Sequence, residues 1–421
     1  MSLYQKIVFF LLLATLPIQF GKHFWPYFSF VQGIRIDYLS PTLYASDVCF
    51  ILLFLVSVTS LRIRLQKLFL SKVGFSIALS SIAWLFLASS WQASLFGVVK
   101  LIEFIYIAVF VSTYFKRKDI EMSLFVVSLS ALVESVIIFF QFFSQHSLGS
   151  LFYYLGERTF NPSTPGIATF RFMESDILRP YGTFPHPNVA AFFLLFSATW
   201  LLFSIKFERS MINYIKALAI TTISFGIFFT FSRIVVILWV GVVGIHLFKK
   251  LKPFPIHIKT RVGVLSFVGL VLLLILFFQR FELTFVKDLL LRGELVAISF
   301  NIFFTHPIFG TGLNNFFYSE AGYQKTLTPI FLQPVHNIYL LWVAQTGIVG
   351  FLVALYFIKK ISERLKEFLL RKNKHYFYRF VPVVVVYISI CGIFDHYFLT
   401  LQQGQLLTAI IVGFCFSKID S

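Results

Sequence analysis

Charge is the scarcest property of this 421-residue chain: Asp, Glu, Lys and Arg make up 13% of it, against 58% hydrophobic residues and a mean hydropathy of +0.84. A soluble domain carries about 25% charged residues, so a soluble globular fold is excluded. Acidic residues are scarcer still, 18 against 36 Lys and Arg, and no paired acidic motif suggests a bound divalent ion. The three cysteines, Cys49, Cys391 and Cys415, all fall in apolar runs, so neither a disulfide framework nor a metal site is readable. No Walker loop is present. No A-x-A-type cleavage site follows the short apolar run at 7–20, and Pro17 with His23-Phe24-Trp25 reads as a retained first helix rather than a signal peptide.

What is abundant is lipid-soluble sequence. Apolar runs of about 17–25 residues, the length that crosses a bilayer, recur from end to end, and the 57 Phe add to them without implying aromatic chemistry. The pattern predicts an all-α polytopic membrane protein of about twelve transmembrane helices. They fall near 5–21, 42–61, 73–91, 95–115, 120–143, 188–205, 217–232, 234–248, 262–279, 337–358, 380–397 and 400–417. Five regions follow: helices 1–5 in 1–143, an outer loop at 144–187, helices 6–9 in 188–280, a large outer loop at 281–336, and helices 10–12 in 337–421.

Direction follows from Lys and Arg, which concentrate in cytoplasmic loops. With the N-terminus inside, 25 of the 36 basic residues lie on the inner side, including the cluster from Lys359 to Arg379. Both termini are therefore expected in the cytoplasm. The surplus of +18 is then a topology signal and a contact for anionic membrane lipids, not a nucleic-acid footprint. Leu289–Thr305 is apolar enough to resemble a span. Inserting it would reverse everything downstream and place Arg292 in hydrocarbon at about 2.5–3.5 kcal/mol. It is expected instead as a surface helix within the large outer loop.

The polar residues then sort to the outer side. Arg179-Pro180-Tyr181-Gly182-Thr183-Phe184-Pro185-His186-Pro187-Asn188 is a shaped, non-helical lead-in, with Asn188 placed to cap the next helix. Arg233 follows Ser232 at a helix mouth, within reach of a phosphate; the plain alternative is an interfacial Arg snorkelling to head groups. Arg292 stands one turn after Asp288, so a simple ion pair is its alternative. His306-Pro307-Ile308-Phe309-Gly310-Thr311-Gly312 ends the surface helix, and His336-Asn337 precedes the next span: a proton acceptor above a capping side chain. Within the spans, Lys100 and Glu103 share a face, Glu134 lacks an obvious partner, and Asp395-His396 with Gln402-Gln403 lie at an outer helix end. Such groups are functional hypotheses by default.

Arginines with a nearby histidine suit an anionic leaving group. Two arginines can hold a lipid diphosphate and stabilise charge growing on it, while His336 deprotonates an acceptor hydroxyl for one inverting displacement at the anomeric carbon. The activated donor would supply the energy, so no cofactor is expected.

The set Arg179–Asn188, Phe231-Ser232-Arg233, Arg292, His306–Gly312, His336-Asn337-Ile338-Tyr339-Leu340 and Gln345-Thr346-Gly347-Ile348-Val349-Gly350 resembles the O-antigen ligase and O-antigen polymerase superfamily. Pro185 departs from the glycine expected before His-Pro-Asn, and Gln345 stands where an acidic residue often precedes Thr/Leu-Gly. The resemblance implies a polysaccharide-biosynthesis glycosyltransferase of the cell envelope, in the inner (plasma) membrane with its active site facing outside. The donor would be an undecaprenyl-diphosphate-linked glycan, and the acceptor a glycan, lipid or protein. Arg233 and Arg292 match diphosphate-binding arginines and His336 the acceptor-activating histidine. Arg179, His186, Asn188, Gly310, Gly312 and Asn337 are candidate substrate-binding residues. The competing reading is a lipid-linked glycan flippase or other polysaccharide transporter, for which mid-bilayer charges and inverted repeats are the usual marks; Lys100, Glu103 and Glu134 fit it, but no convincing repeat is present.

Overall fold

The computed structural model describes residues 1–172, 175–205, 210–250, 282–323, 332–371 and 375–419, with backbone alone at 172, 249, 250 and 282–288. Seven of its helices are long and apolar enough to cross a membrane: Ala45–Phe69, Trp91–Tyr114, Arg117–Ser144, Pro187–Ser204, Met211–Phe229, Ile338–Leu370 and Phe377–Phe394. Four shorter apolar helices, Leu3–Thr15, Lys72–Phe86, Arg233–Phe248 and Gln402–Phe416, coincide with four more of the expected spans. At 1.5 Å per residue the 13 residues of Leu3–Thr15 reach only about 20 Å, short of a hydrocarbon core of about 30 Å. The expected span at 262–279 lies outside the described residues, as do Lys206, Arg209, Lys252, Lys259, Arg261, Gln279, Arg280, Lys372, Lys374 and Glu174. Glu282–Thr305 is a helix of 24 residues and is not among the seven.

The chain is mostly helical, as expected, with a few short strands besides. Three two-stranded antiparallel sheets join the helices. Gly21–His23 pairs with Thr42–Tyr44, and between those strands Phe30–Val31 pairs with Ile34–Arg35 across a turn. Gln32 and Gly33 there both take positive φ, 49° and 79°, the conformation whose twist matches a tight hairpin. Thr169–Phe172 pairs with Ser175–Leu178. These strands are too short for period-two patterning to show against the apolar background.

The chain forms two compact units, Met1–Val126 with Leu291–Ser421, and Val127–Leu290. In the first, Val31, Ile36 and Leu39 of the hairpin loop bury against Ala93 and against Phe317 and Ala321 of the short helix Phe316–Tyr323. A charged cluster also ties three helices of this unit together. Lys100 Nζ reaches Asp47 Oδ1 at 2.7 Å and Glu103 Oε2 at 2.9 Å, while Gln402 Nε2 donates to both carboxylates, at 2.8 and 3.1 Å.

The second unit centres on Pro187–Ser204, which is buried on nearly every face. A helix apolar all round belongs at a core, and Met211–Phe229 and Arg233–Lys250 pack against it.

Candidate active site

Helix Ile338–Leu370 is interrupted at Gly347, whose φ of 63° and ψ of −161° are not helical. A break inside a membrane helix frees backbone groups that must be satisfied within the protein. Here the His306–Gly312 segment satisfies them. Ile348 N donates to Pro307 O at 2.8 Å, Val349 N to Ile308 O at 3.2 Å, Thr311 N to Ala344 O at 3.2 Å, and Gly312 N to Gln345 O at 2.9 Å. The approach is possible only without side chains. A Cβ on Gly310 would lie 2.4 Å from Gln345 C, and one on Gly347 would lie 2.3 Å from Ile308 O. Gln345 Oε1 also accepts Asn314 N at 3.1 Å, so the glutamine that departs from the family pattern holds the incoming loop. The two glycine motifs are halves of one joint, and Gly310 and Gly312 are buried in it.

The joint lies between the residues expected to do chemistry. Arg292 stands on the helix that leads into it, and His336-Asn337 at the start of the helix that it breaks. Asn337 caps that helix as expected, accepting Tyr339 N at 2.9 Å and Leu340 N at 3.0 Å. Its Nδ2 donates to Ile393 O at 3.2 Å, and Arg292 Nη1 donates to Phe394 O at 3.1 Å. Both side chains thus meet the last carbonyls of Phe377–Phe394, which carry the negative end of that helix. Asp288, the other partner considered for Arg292, has no described side chain.

The next two residues, Asp395 and His396, complete the group. His336 Nδ1 is buried, makes no hydrogen bond among the described residues, and lies 4.0 Å from Asp395 Oδ1. The His336 and His396 rings sit 5.1 Å apart. His396 N donates to Asp395 Oδ1 at 2.8 Å, and its Nδ1 lies 2.7 Å from Thr400 Oγ1. Tyr38, from the hairpin loop, packs edge-on to His396 at 5.4 Å and stacks on Phe317 at 5.8 Å. Asp395-His396 was legible as an ionisable pair at a helix end, but its link to His336 spans 59 positions of sequence. Tyr38 carried no such signal.

In the second unit the Arg179–Asn188 segment is held from below. Thr183 donates to Glu134 through its amide and hydroxyl, at 2.9 and 2.6 Å, which supplies the partner that Glu134 lacked in sequence. Gln141 Oε1 accepts Tyr181 N and Gly182 N, at 3.0 and 2.8 Å. Tyr181 Oη accepts Ala168 N at 2.7 Å, and burial pushes its phenol pKa up. Arg179 Nη2 donates to Asn188 Oδ1 at 2.7 Å and Nε to Thr230 O at 3.1 Å, three residues before Arg233. The helix cap expected of Asn188 belongs to His186, whose Nδ1 accepts Asn188 N at 3.2 Å. Pro187 takes the first helical position, where its missing N–H costs nothing, and this moves the cap one residue ahead of it. Arg233 opens its helix as an exposed residue.

A chain rich in membrane helices, with a histidine–carboxylate pair beside an arginine, belongs among membrane proteins rather than soluble enzymes. Residues 217–355 match the family model described as O-Antigen ligase. That stretch takes in Arg233, Arg292, His306–Gly312, His336-Asn337 and Gln345–Gly350, so it is over those residues that the chain is similar to the family. No curated protein matches the chain. The family points to an enzyme that transfers glycan at a membrane, with a lipid-linked glycan and an acceptor as its partners.

Proposed function

We propose that the protein transfers a glycan from undecaprenyl diphosphate to an acceptor hydroxyl at the outer face of the inner membrane, in one inverting step. The observation that carries this reading is the convergence of Arg292 and His336 on one helix end, with Asp395 beside the histidine. His336 takes the acceptor proton, the acceptor oxygen bonds to the anomeric carbon, and the carbon–oxygen bond to the carrier diphosphate breaks. Arg292 receives the charge growing on the departing diphosphate, and the family resemblance makes Arg233 the second arginine of that task. Asp395 Oδ1, 4.0 Å from His336 Nδ1, closes on that nitrogen in the reacting complex, where catalytic hydrogen bonds tighten, and so leaves Nε2 for the acceptor.

Asn337, Gly310 and Gly312 serve this reading as scaffold for His336 and Arg292; Arg179, His186 and Asn188 serve as scaffold for the mouth at Arg233. The charges that a transporter would use speak against the flippase reading, because Lys100 is held in place between Asp47 and Glu103, and both carboxylates also accept from Gln402.

The test is transfer by purified protein from an undecaprenyl-diphosphate glycan. Arg233→Ala, Arg292→Ala and His336→Ala are each expected to lose about 10²-fold or more in rate, the scale of general-base and charge-stabilising contributions. Full activity in all three variants overturns the mechanism. Translocation in liposomes that survives His336→Ala, without transfer, favours the flippase.

A further inference from the structure

Two imidazoles and a carboxylate meet at the site, and their grouping permits a second chemistry. His336, Asp395 and His396 each offer one ligand atom, and the three atoms lie within 4.8 Å of one another. Asp395 and His396 are buried, and the His336 Nδ1 atom is buried without a hydrogen-bond partner among the described residues. Metal–ligand bonds of about 2.0–2.2 Å put tetrahedral ligand atoms about 3.3 Å apart. Side-chain rotations moving each atom by about an ångström would close the group.

The surroundings match a metal site in another respect. Histidines that bind metal hold their second ring nitrogen on an outer partner, and His396 Nδ1 sits 2.7 Å from Thr400 Oγ1. Asp395 Oδ1 is fixed by His396 N at 2.8 Å.

We infer that His336, Asp395 and His396 form a binding site for a borderline divalent cation of the Zn²⁺ class. Two nitrogen ligands and one oxygen select Zn²⁺, Co²⁺ or Ni²⁺ over Mg²⁺ and Ca²⁺, which take oxygen ligands. Three protein ligands leave a fourth position for water or substrate. The consequence for transfer rests on the reading of His336 as the acceptor base. Metal on His336 Nδ1 leaves the ring proton on Nε2, so Nε2 has no lone pair to take the acceptor proton, and the cation is an inhibitor and not a cofactor.

The test uses untagged full-length protein in detergent, stripped with chelator, and Co²⁺ as the probe. Wild type is expected to take one Co²⁺ per chain, with the ligand-field spectrum of a nitrogen-ligated ion, displaced by Zn²⁺ and not by Mg²⁺. His396→Ala and Asp395→Asn are expected to weaken binding by about tenfold or more, and Thr400→Val by about tenfold. His146→Ala and His306→Ala, which alter exposed histidines elsewhere, leave the spectrum intact. If His396→Ala does not fold, as judged by size exclusion, His336→Ala at the half-exposed position takes its place.

A wild type without the spectrum, or one whose spectrum persists in these ligand variants, overturns the site. Zn²⁺ is then added to the transfer assay. Inhibition reversed by chelator supports both proposals; Co²⁺ binding with unimpaired transfer in saturating Zn²⁺ supports the site and overturns the base role of His336.

Discussion

Gln345 accepts the amide of Gly312 on its backbone carbonyl across 2.9 Å, and the amide of Asn314 on its side chain across 3.1 Å. One residue therefore receives both ends of a turn that sequence alone presents as an unrelated glycine motif. The joint sets the spacing of Arg292 and His336, because each side chain hangs on one of the two elements that it locks.

Gly310→Ala tests that joint. The new methyl would meet Gln345 C at 2.4 Å, at a backbone with φ of +65°, where a side chain costs about 1–2 kcal/mol before any clash. Overpacking adds about 1–3 kcal/mol. A marked fall in melting temperature is expected in detergent. Gly241→Ala, in open space on its helix, is expected to be neutral or to stabilise by up to about 1 kcal/mol. Equal melting of the two variants would show that the joint carries no weight.

Most of the helices are legible because hydropathy is a local property: each apolar run reports its own helix. His336-Asn337 was readable for the same reason, since a cap lies next to the helix that it caps. The rest depended on distance along the chain. Nothing near Glu134 announces Thr183, 49 positions away, and nothing near Lys100 announces Gln402. Residue preference places the cap at Asn188, yet proline at the first helical position passes that task to His186. The hairpin at Gly21–Tyr44 is hidden because its strands are two or three residues long and its apolar side chains face Ala93 and the distant short helix Phe316–Tyr323.

Lys100 offers a sharp contrast of variants. Lys100→Met leaves the carboxylates of Asp47 and Glu103 buried without a cation, and breaking a buried pair from one side costs about 3–5 kcal/mol. Glu103→Gln removes one charge and keeps a hydrogen-bonding end toward Lys100, so a cost of about 1 kcal/mol is expected. Thermal unfolding in nanodiscs should rank Lys100→Met well below Glu103→Gln and wild type. A Lys100→Met protein as stable as wild type would remove the cluster from any account of helix packing.

Glu134 braces a turn, not a core. Glu134→Ala strips two acceptor bonds from Thr183 and opens space beneath Gly182, whose absent Cβ would lie 2.3 Å from Glu134 Oε2. Faster hydrogen exchange is expected at 179–186, with little change in the helix Pro187–Ser204. Glu134→Gln keeps an acceptor at the same place and should protect the turn nearly as well. Uniform exchange across wild type and both variants would deny the brace.

Asp395 is expected to act only through His336. On the wild-type background Asp395→Asn should lower kcat by about 10-fold to 10²-fold, a part of the general-base contribution, with the acceptor KM little changed. A residue that orients a base has nothing to orient once the base is gone. The double variant His336→Ala with Asp395→Asn should therefore be no slower than His336→Ala alone, because groups that act as one unit are strongly non-additive. Asp395→Glu, which restores a carboxylate on a longer arm, should recover part of the rate on the wild-type background and none of it on His336→Ala. If the two losses multiply instead, Asp395 works independently of the histidine, and the 4.0 Å approach of its Oδ1 to His336 Nδ1 has no part in the transfer.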